Sequence, residues 1–218
     1  FGIEQLVRDV EMYRIGEGAT DILRPFVARE GLNPHLERAA KYLDPHLSPE
    51  ERTKEFGKLL RFYVRWYREQ WRRKPLPDFV AQCHPLVRTV LTFVERASRR
   101  LARAILYAMA FRGLALRDDQ GRQNRIEQIG EDLLVMTAAA LHAEAHRQDA
   151  QNAARWELVQ EIFRQAKARV NRLIPELIHN DDAALTTIGR RAFQEVYPFL
   201  TQGIIQRRLE DYRSKTSE

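Results

Sequence analysis

Long stretches of this chain carry no helix breaker, and within them apolar residues return every three or four positions, which confines the fold to helices. Only ten Gly and nine Pro are spread over 218 residues. No stretch alternates apolar and polar residues as a half-buried strand would, so the expected class is all-α. From Phe1 to about Gly18 the helical spacing is carried by Leu6, Val10, Met12 and Tyr13. Thr20 and Asp21 suit the start of a helix through Ile22, Phe26 and Val27. Gly31, followed by Asn33-Pro34, is expected to stop it. Ser48-Pro49-Glu50-Glu51 has the form of an N-cap with proline at the first helical position, opening a segment that lasts to Pro75.

Pro85 opens a long helix expected from Leu86 to about Arg117, and Asp118-Asp119-Gln120-Gly121 is the turn that follows. A second helix is expected from Arg122 to His146 and a third from Asn152 to His179. Asn180-Asp181-Asp182 caps a last one reaching about Tyr212. Long helices joined by short polar turns lie antiparallel, so the second half is expected to be an up-down antiparallel helical bundle. The chain therefore divides into 1-32, a connecting segment 33-84 and a bundle 85-218, with the tail from Arg213 to Glu218 expected to fray.

Charge narrows the partners only slightly. Lys and Arg exceed Asp and Glu by 36 to 30, for a net charge of +6 and a pI near 9.7, which permits an anionic partner without naming one. A single cysteine, Cys83, excludes an intrachain disulfide and a thiolate metal cluster and fits a reducing compartment. No apolar run approaches the roughly 18 residues of a membrane span. The sequence opens at Phe1 without an initiator Met or a signal-peptide pattern, and is expected to begin within a longer protein.

The stretch from Arg8 to Leu32 bears the chemistry. It contains Arg8-Asp9, then Arg14-Ile15-Gly16-Glu17-Gly18-Ala19-Thr20-Asp21-Ile22, then an apolar helix. On its residues alone it is a helix, a glycine-flanked acidic turn and a capped helix. In that reading Glu17 is an ordinary solvated turn carboxylate.

The same residues closely resemble the end of the catalytic domain of acyl-CoA dehydrogenases, where an Arg-Asp pair precedes an Ile-x-Glu-Gly-Thr-x-x-Ile turn. The resemblance implies an FAD-dependent enzyme that oxidises an acyl-CoA to the trans-2-enoyl-CoA in fatty acid β-oxidation. The turn carboxylate, here Glu17, would take the substrate's α-proton while the β-hydrogen leaves as hydride to the flavin. It further implies substrate contact at Gly18 and cofactor contact at Ala19, Thr20 and Asp21. A base between glycines suits this chemistry, because it must approach a carbon acid in a water-poor cleft where desolvation raises its pKa. Two positions depart from the family's pattern. Ala19 stands where threonine is usual, with Thr20 beside it, and Gly16 stands where an aromatic often precedes the glutamate.

About 185 residues follow that helix, as in the very-long-chain acyl-CoA dehydrogenase type, which has a helical extension. Within Gln123 to Met136, a Gln, the Arg125-Ile126 pair and an Asp-Leu-x-x-Met run are similar to bacterial relatives. The resemblance implies an acyl-CoA substrate, an electron acceptor and a homo-oligomer for the longer enzyme. Its location is expected to be cytoplasmic, with peripheral membrane contact as a variant. The resemblance implies a flavin site that this chain would hold only in part, so the chain by itself is expected to be inactive.

Lys58, Arg61, Arg65, Arg68 and Arg72 form a basic stripe on one helix, opposite an arc of Phe56, Leu59, Leu60, Tyr63, Trp66, Tyr67 and Trp71. An amphipathic helix docked on the bundle gives this pattern. So does a helix that meets an anionic membrane surface or a partner through Arg61, Arg65, Arg68, Arg72, Trp66 and Trp71. His142 and His146 stand one turn apart but have no evident third ligand, so no metal site is expected. Helix-turn-helix spacing, Cys/His fingers and glycine-rich loops are absent, and nucleic acid is not an expected partner.

Overall fold

A computed structural model of the chain describes the backbone of residues 2–16, 20–150, 152–194 and 196–200, and among these residues it is helical with no strand. Two compact units divide at His179 and Asn180.

In the first unit α1 spans Ile3–Gly16, α2 Thr20–Leu43, α3 Pro49–Glu69, α4 Pro85–Arg112, α5 Gln120–Ala145 and α6 Asn152–Glu176. Short 3₁₀ turns at Asp78–Gln82 and Gly113–Asp118 precede and follow α4. The starts of these helices follow from local chemistry. Ser48 Oγ accepts from the Glu51 amide and the Glu51 carboxylate accepts from the Ser48 amide, a closed capping box with Pro49 at the first helical position. His84 Nδ1 accepts from the Leu86 amide ahead of Pro85, and Asp119 accepts from the Arg122 amide to start α5.

Several expected ends move: the segment opened at Pro49 is helical only to Glu69 rather than to Pro75, which leaves Trp71 and Arg72 beyond the helix that was expected to carry them. The helix from Thr20 does not stop at Gly31 but continues through Pro34 to Leu43. A mid-helix glycine costs about 1 kcal/mol and a proline about 3. Packing of α2 along α3 and α5 is the tertiary gain that stands against those costs. The helix from Leu86 ends at Arg112 rather than Arg117, because Gly113 adopts φ +54°, a left-handed turn open to glycine at no steric cost.

Side-chain partners fix the packing register. Between α5 and α6, Arg122 donates to the Leu177 carbonyl, Arg125 to Glu176 and Arg169 to Asp132, so one helix rises as the other falls. Between α4 and α6, His84 stacks on Trp156, Phe93 meets Phe163 and Arg100 donates to Asn171, so these two run in the same direction with a nearly constant offset. Val87 and Val90 of α4, Ile129 and Met136 of α5, and Val170 of α6 fill the space between them and are all but fully buried. The α2–α3 pair lies outside this core. In it His35 meets Tyr63 and Trp66, and Tyr42 meets Phe56, as in an antiparallel hairpin.

The second unit contains α7, Asp182–Phe193, and a 3₁₀ turn at Pro198–Leu200. The Asp182 amide donates to Asn180 Oδ1 at its start. The expected run to Tyr212 is shorter as described, since α7 ends at Phe193, and residues 201–218 lie outside the described residues.

Candidate functional sites

In the sequence Glu17-Gly18-Ala19 falls between two helices. α1 closes at Gly16 and α2 opens at Thr20. Glu17, Gly18 and Ala19 lie outside the described residues, and for Thr20 and Asp21 the backbone in the first turn of α2 is described but the side chains are not. On α1, Ile3, Leu6, Val7 and Val10 share one face and are exposed.

α3 and the turn that follows it place the basic stripe on an open face. Arg61, Arg65, Arg68 and Arg72 line a shallow groove of about 680 Å³ together with Leu60 and Val64. Arg65 pairs with Glu69 at 3.1 Å, whereas among the described residues the side chains of Arg61, Arg68 and Arg72 meet no carboxylate. The expected aromatic arc is split. Leu59, Tyr63, Trp66 and Tyr67 are half-buried, while Phe56, Leu60 and Trp71 are exposed. Trp66 meets His35 edge-on at 5.1 Å. Trp71, though exposed, carries the Arg103 guanidinium 4.1 Å above its ring, and Arg103 also donates to the Gln70 carbonyl at 2.6 Å. The Tyr67 and Tyr107 hydroxyls bond to each other, which lowers the pKa of Tyr67 and raises that of Tyr107. The end of α3 is therefore fastened to α4 through aromatic and arginine contacts, and its basic side is left to solvent.

Most of the matched residues in the run from Gln123 to Met136 have structural duties, while Leu134 and Val135 are exposed. Buried Gln123 donates to the Leu116 carbonyl at 3.0 Å and Arg125 pairs with Glu176 at 3.3 Å. Ile126, Leu133 and Met136 enter the core, and buried Asp132 accepts from Arg169. Just before this run Arg122, 8% exposed, reaches both Asp119 and the Leu177 carbonyl, which gives a buried guanidinium its required partners. His142 and His146 lie 4.4 Å apart between ring centroids, and His146 Nδ1 approaches the His142 carbonyl at 2.9 Å.

No protein-family model matches the chain. Over 206 residues it is 32% identical to proteins of Mycobacterium tuberculosis and Mycobacterium bovis named "Probable acyl-CoA dehydrogenase FadE10", covering 93% of this chain. The similarity supports the acyl-CoA dehydrogenase family. An all-helical chain is consistent with the C-terminal helical domain of that family. The chain spans about a third of the length of these curated relatives, 32% of each. Among the described residues no helix is long and apolar enough to cross a membrane.

One set of residues escaped the sequence reading. Arg88, Phe93 and Arg96 of α4 line a shared groove with Phe163 and Lys167 of α6. Their spacing within each helix is visible in the sequence, but nothing there announces that positions some seventy residues apart face one another.

Proposed function

We propose that this chain is the C-terminal part of an FAD-dependent acyl-CoA dehydrogenase of the very-long-chain type, oxidising a long-chain acyl-CoA to its trans-2-enoyl-CoA, and that Glu17 is the base. The observation that carries this reading is similarity over 93% of the chain to relatives bearing the acyl-CoA dehydrogenase name, in a chain whose sequence places Glu17-Gly18 between α1 and α2. The division of residues 1-32, 33-84 and 85-218 into catalytic end, connecting segment and bundle belongs to the same proposal.

The chain spans about a third of its relatives' length, and FAD, the acyl-CoA substrate, the electron acceptor and the homo-oligomer are assigned to the longer protein. Within this chain Glu17 would accept the proton from the substrate's α-carbon, and Gly18, lacking a side chain, would leave the approach to the thioester open.

In the longer protein Glu17→Gln should preserve folding and flavin content but abolish substrate-dependent flavin bleaching, since an amide cannot accept the α-proton. Bleaching at the unaltered rate would remove Glu17 from the role of base.

A second reading makes the chain a non-catalytic helical module for a partner or membrane surface. It is favoured by the exposed face of α3, where Arg61, Arg65, Arg68 and Arg72 surround Leu60 and Val64. Under that reading Glu17→Gln changes nothing, and replacement of the arginines removes attachment.

A further inference from the structure

We propose that the groove between α4 and α6 binds a nucleotide, with phosphate held between Arg96 and Lys167 and the base laid along the Phe93–Phe163 pair. The groove encloses about 560 Å³, within the range of about 300–1,000 Å³ typical of small-ligand sites. Arg88, Arg96 and Lys167 are all exposed, and none meets a carboxylate among the described residues. No acidic side chain lines the groove among the described residues. Three like charges face one open channel without a counter-charge, an arrangement that raises the local concentration of an anion.

The register of the two helices brings the cations to defined levels. Because His84 pairs with Trp156, Phe93 with Phe163 and Arg100 with Asn171, Arg96 stands level with Lys167 on the opposite wall. Two cations facing each other across a groove make a bidentate anion clamp, and the planar guanidinium with the point-charge ammonium suits a phosphate. Arg88 lies two turns nearer the start of α4, about 12 Å along the axis from Arg96.

Between these levels the floor is aromatic. Phe93 and Phe163 meet at 5.6 Å with planes 78° apart, and both remain only half-buried. Lys167 Nζ sits 5.4 Å from the Phe163 ring and 5.7 Å from that of Phe93, so the ammonium lies over the same aromatic floor and has to swing toward Arg96 as phosphate and base enter. An open groove cannot shield a long apolar chain from water. A flat heteroaromatic ring, which stacks on one face and tolerates water on the other, fits an open aromatic floor better. The Arg88 guanidinium, at the far end, can donate to acceptors on the edge of the base.

The test is calorimetric titration of the full chain with ADP, inorganic pyrophosphate and adenosine in separate runs at low salt. ADP should bind more tightly than either part, and Arg96→Ala and Lys167→Ala should each weaken it about tenfold. Phe163→Leu should weaken ADP while leaving pyrophosphate unchanged, with helicity by circular dichroism confirming that each variant is folded. Arg61→Ala with Arg65→Ala, on the other basic face, should leave ADP binding as it was. Three results would overturn the site: no ADP binding at about 1 mM, pyrophosphate binding as tightly as ADP, or equal weakening by the α3 replacements, which would mean a general positive field.

Discussion

Asp132 is the buried member of an asymmetric pair: it accepts Nη2 of Arg169 at 2.6 Å and Nε at 3.1 Å, while the arginine stays 42% exposed. Removing the exposed partner alone strands a carboxylate in the α5–α6 interface. Arg169→Met should therefore destabilise the chain by about 2 kcal/mol, whereas Arg169→Met combined with Asp132→Leu should recover most of that loss. Urea unfolding of the two variants decides it. A double variant less stable than the single one would mean that the pair contributes more than the desolvation it relieves.

Arg103 joins the end of α3 to α4 through two contacts on one guanidinium, the Trp71 ring and the Gln70 carbonyl. Arg103→Ala should cost about 1–2 kcal/mol and expose Trp71 further, shifting tryptophan emission to the red before global unfolding. Arg103→Lys keeps the charge but loses the planar stack and fork, so it should rescue only part of the shift. Full rescue by lysine would reduce the contact to simple charge.

His35 links α2 to α3 and should make that pair sensitive to acid. Burial first, and the nearby Arg38 charge second, push its pKa below the ordinary 6.5, while Nδ1 meets the Tyr63 hydroxyl at 3.1 Å. The folded state thus binds the proton less readily than the unfolded chain. Stability from this group is complete above pH 6.5 and declines as pH falls from there through the depressed folded value. Glu161, held near a pKa of about 2 by Arg164 and then Gln165, adds a separate loss that begins only below 4.5. His35→Phe should flatten the pH dependence of the melting temperature just below pH 6.5 without touching the lower limb. An unchanged profile would assign the upper limb to other groups.

Much of this fold is legible in the sequence because its helix starts are local. Ser48 with Glu51, Pro49, Pro85 and Asp119 lie within a few residues of the amides or turns they serve. The ends are harder to read. Gly113 carries the left-handed turn that stops α4, yet Gly31, the same residue type, sits in the interior of α2, because there the packing of α2 on α3 and α5 decides the outcome. The Glu17 turn stands out by its residue order, whereas Arg96 and Lys167 become neighbours only through the α4–α6 register, which no local pattern encodes.

The exposed face of α3 yields the final prediction, and its strength depends on which side of the helix is already occupied. Tyr63 and Trp66 are turned to α2, and Tyr67 to Tyr107 of α4, so these rings are not free to enter a headgroup layer. The open apolar side chains that lie between Arg61, Arg65, Arg68 and Arg72 are Leu60 at 53% and Val64 at 52% exposure. Each arginine near an anionic surface contributes on the order of 1 kcal/mol, screened within about 10 Å at 0.1 M salt. Two aliphatic side chains add an apolar part that salt does not weaken. Vesicles containing phosphatidylserine should therefore bind the chain more strongly than neutral vesicles, with the preference lost in Arg61→Glu/Arg65→Glu/Arg68→Glu. Leu60→Ser with Val64→Ser should leave binding at low salt nearly intact but remove the residue that survives at high salt. Trp66→Phe should change neither, because that ring faces His35. Equal sedimentation with both vesicle types, or indifference to the triple charge reversal, would leave the arginines as a solvated face of a helix docked on the bundle.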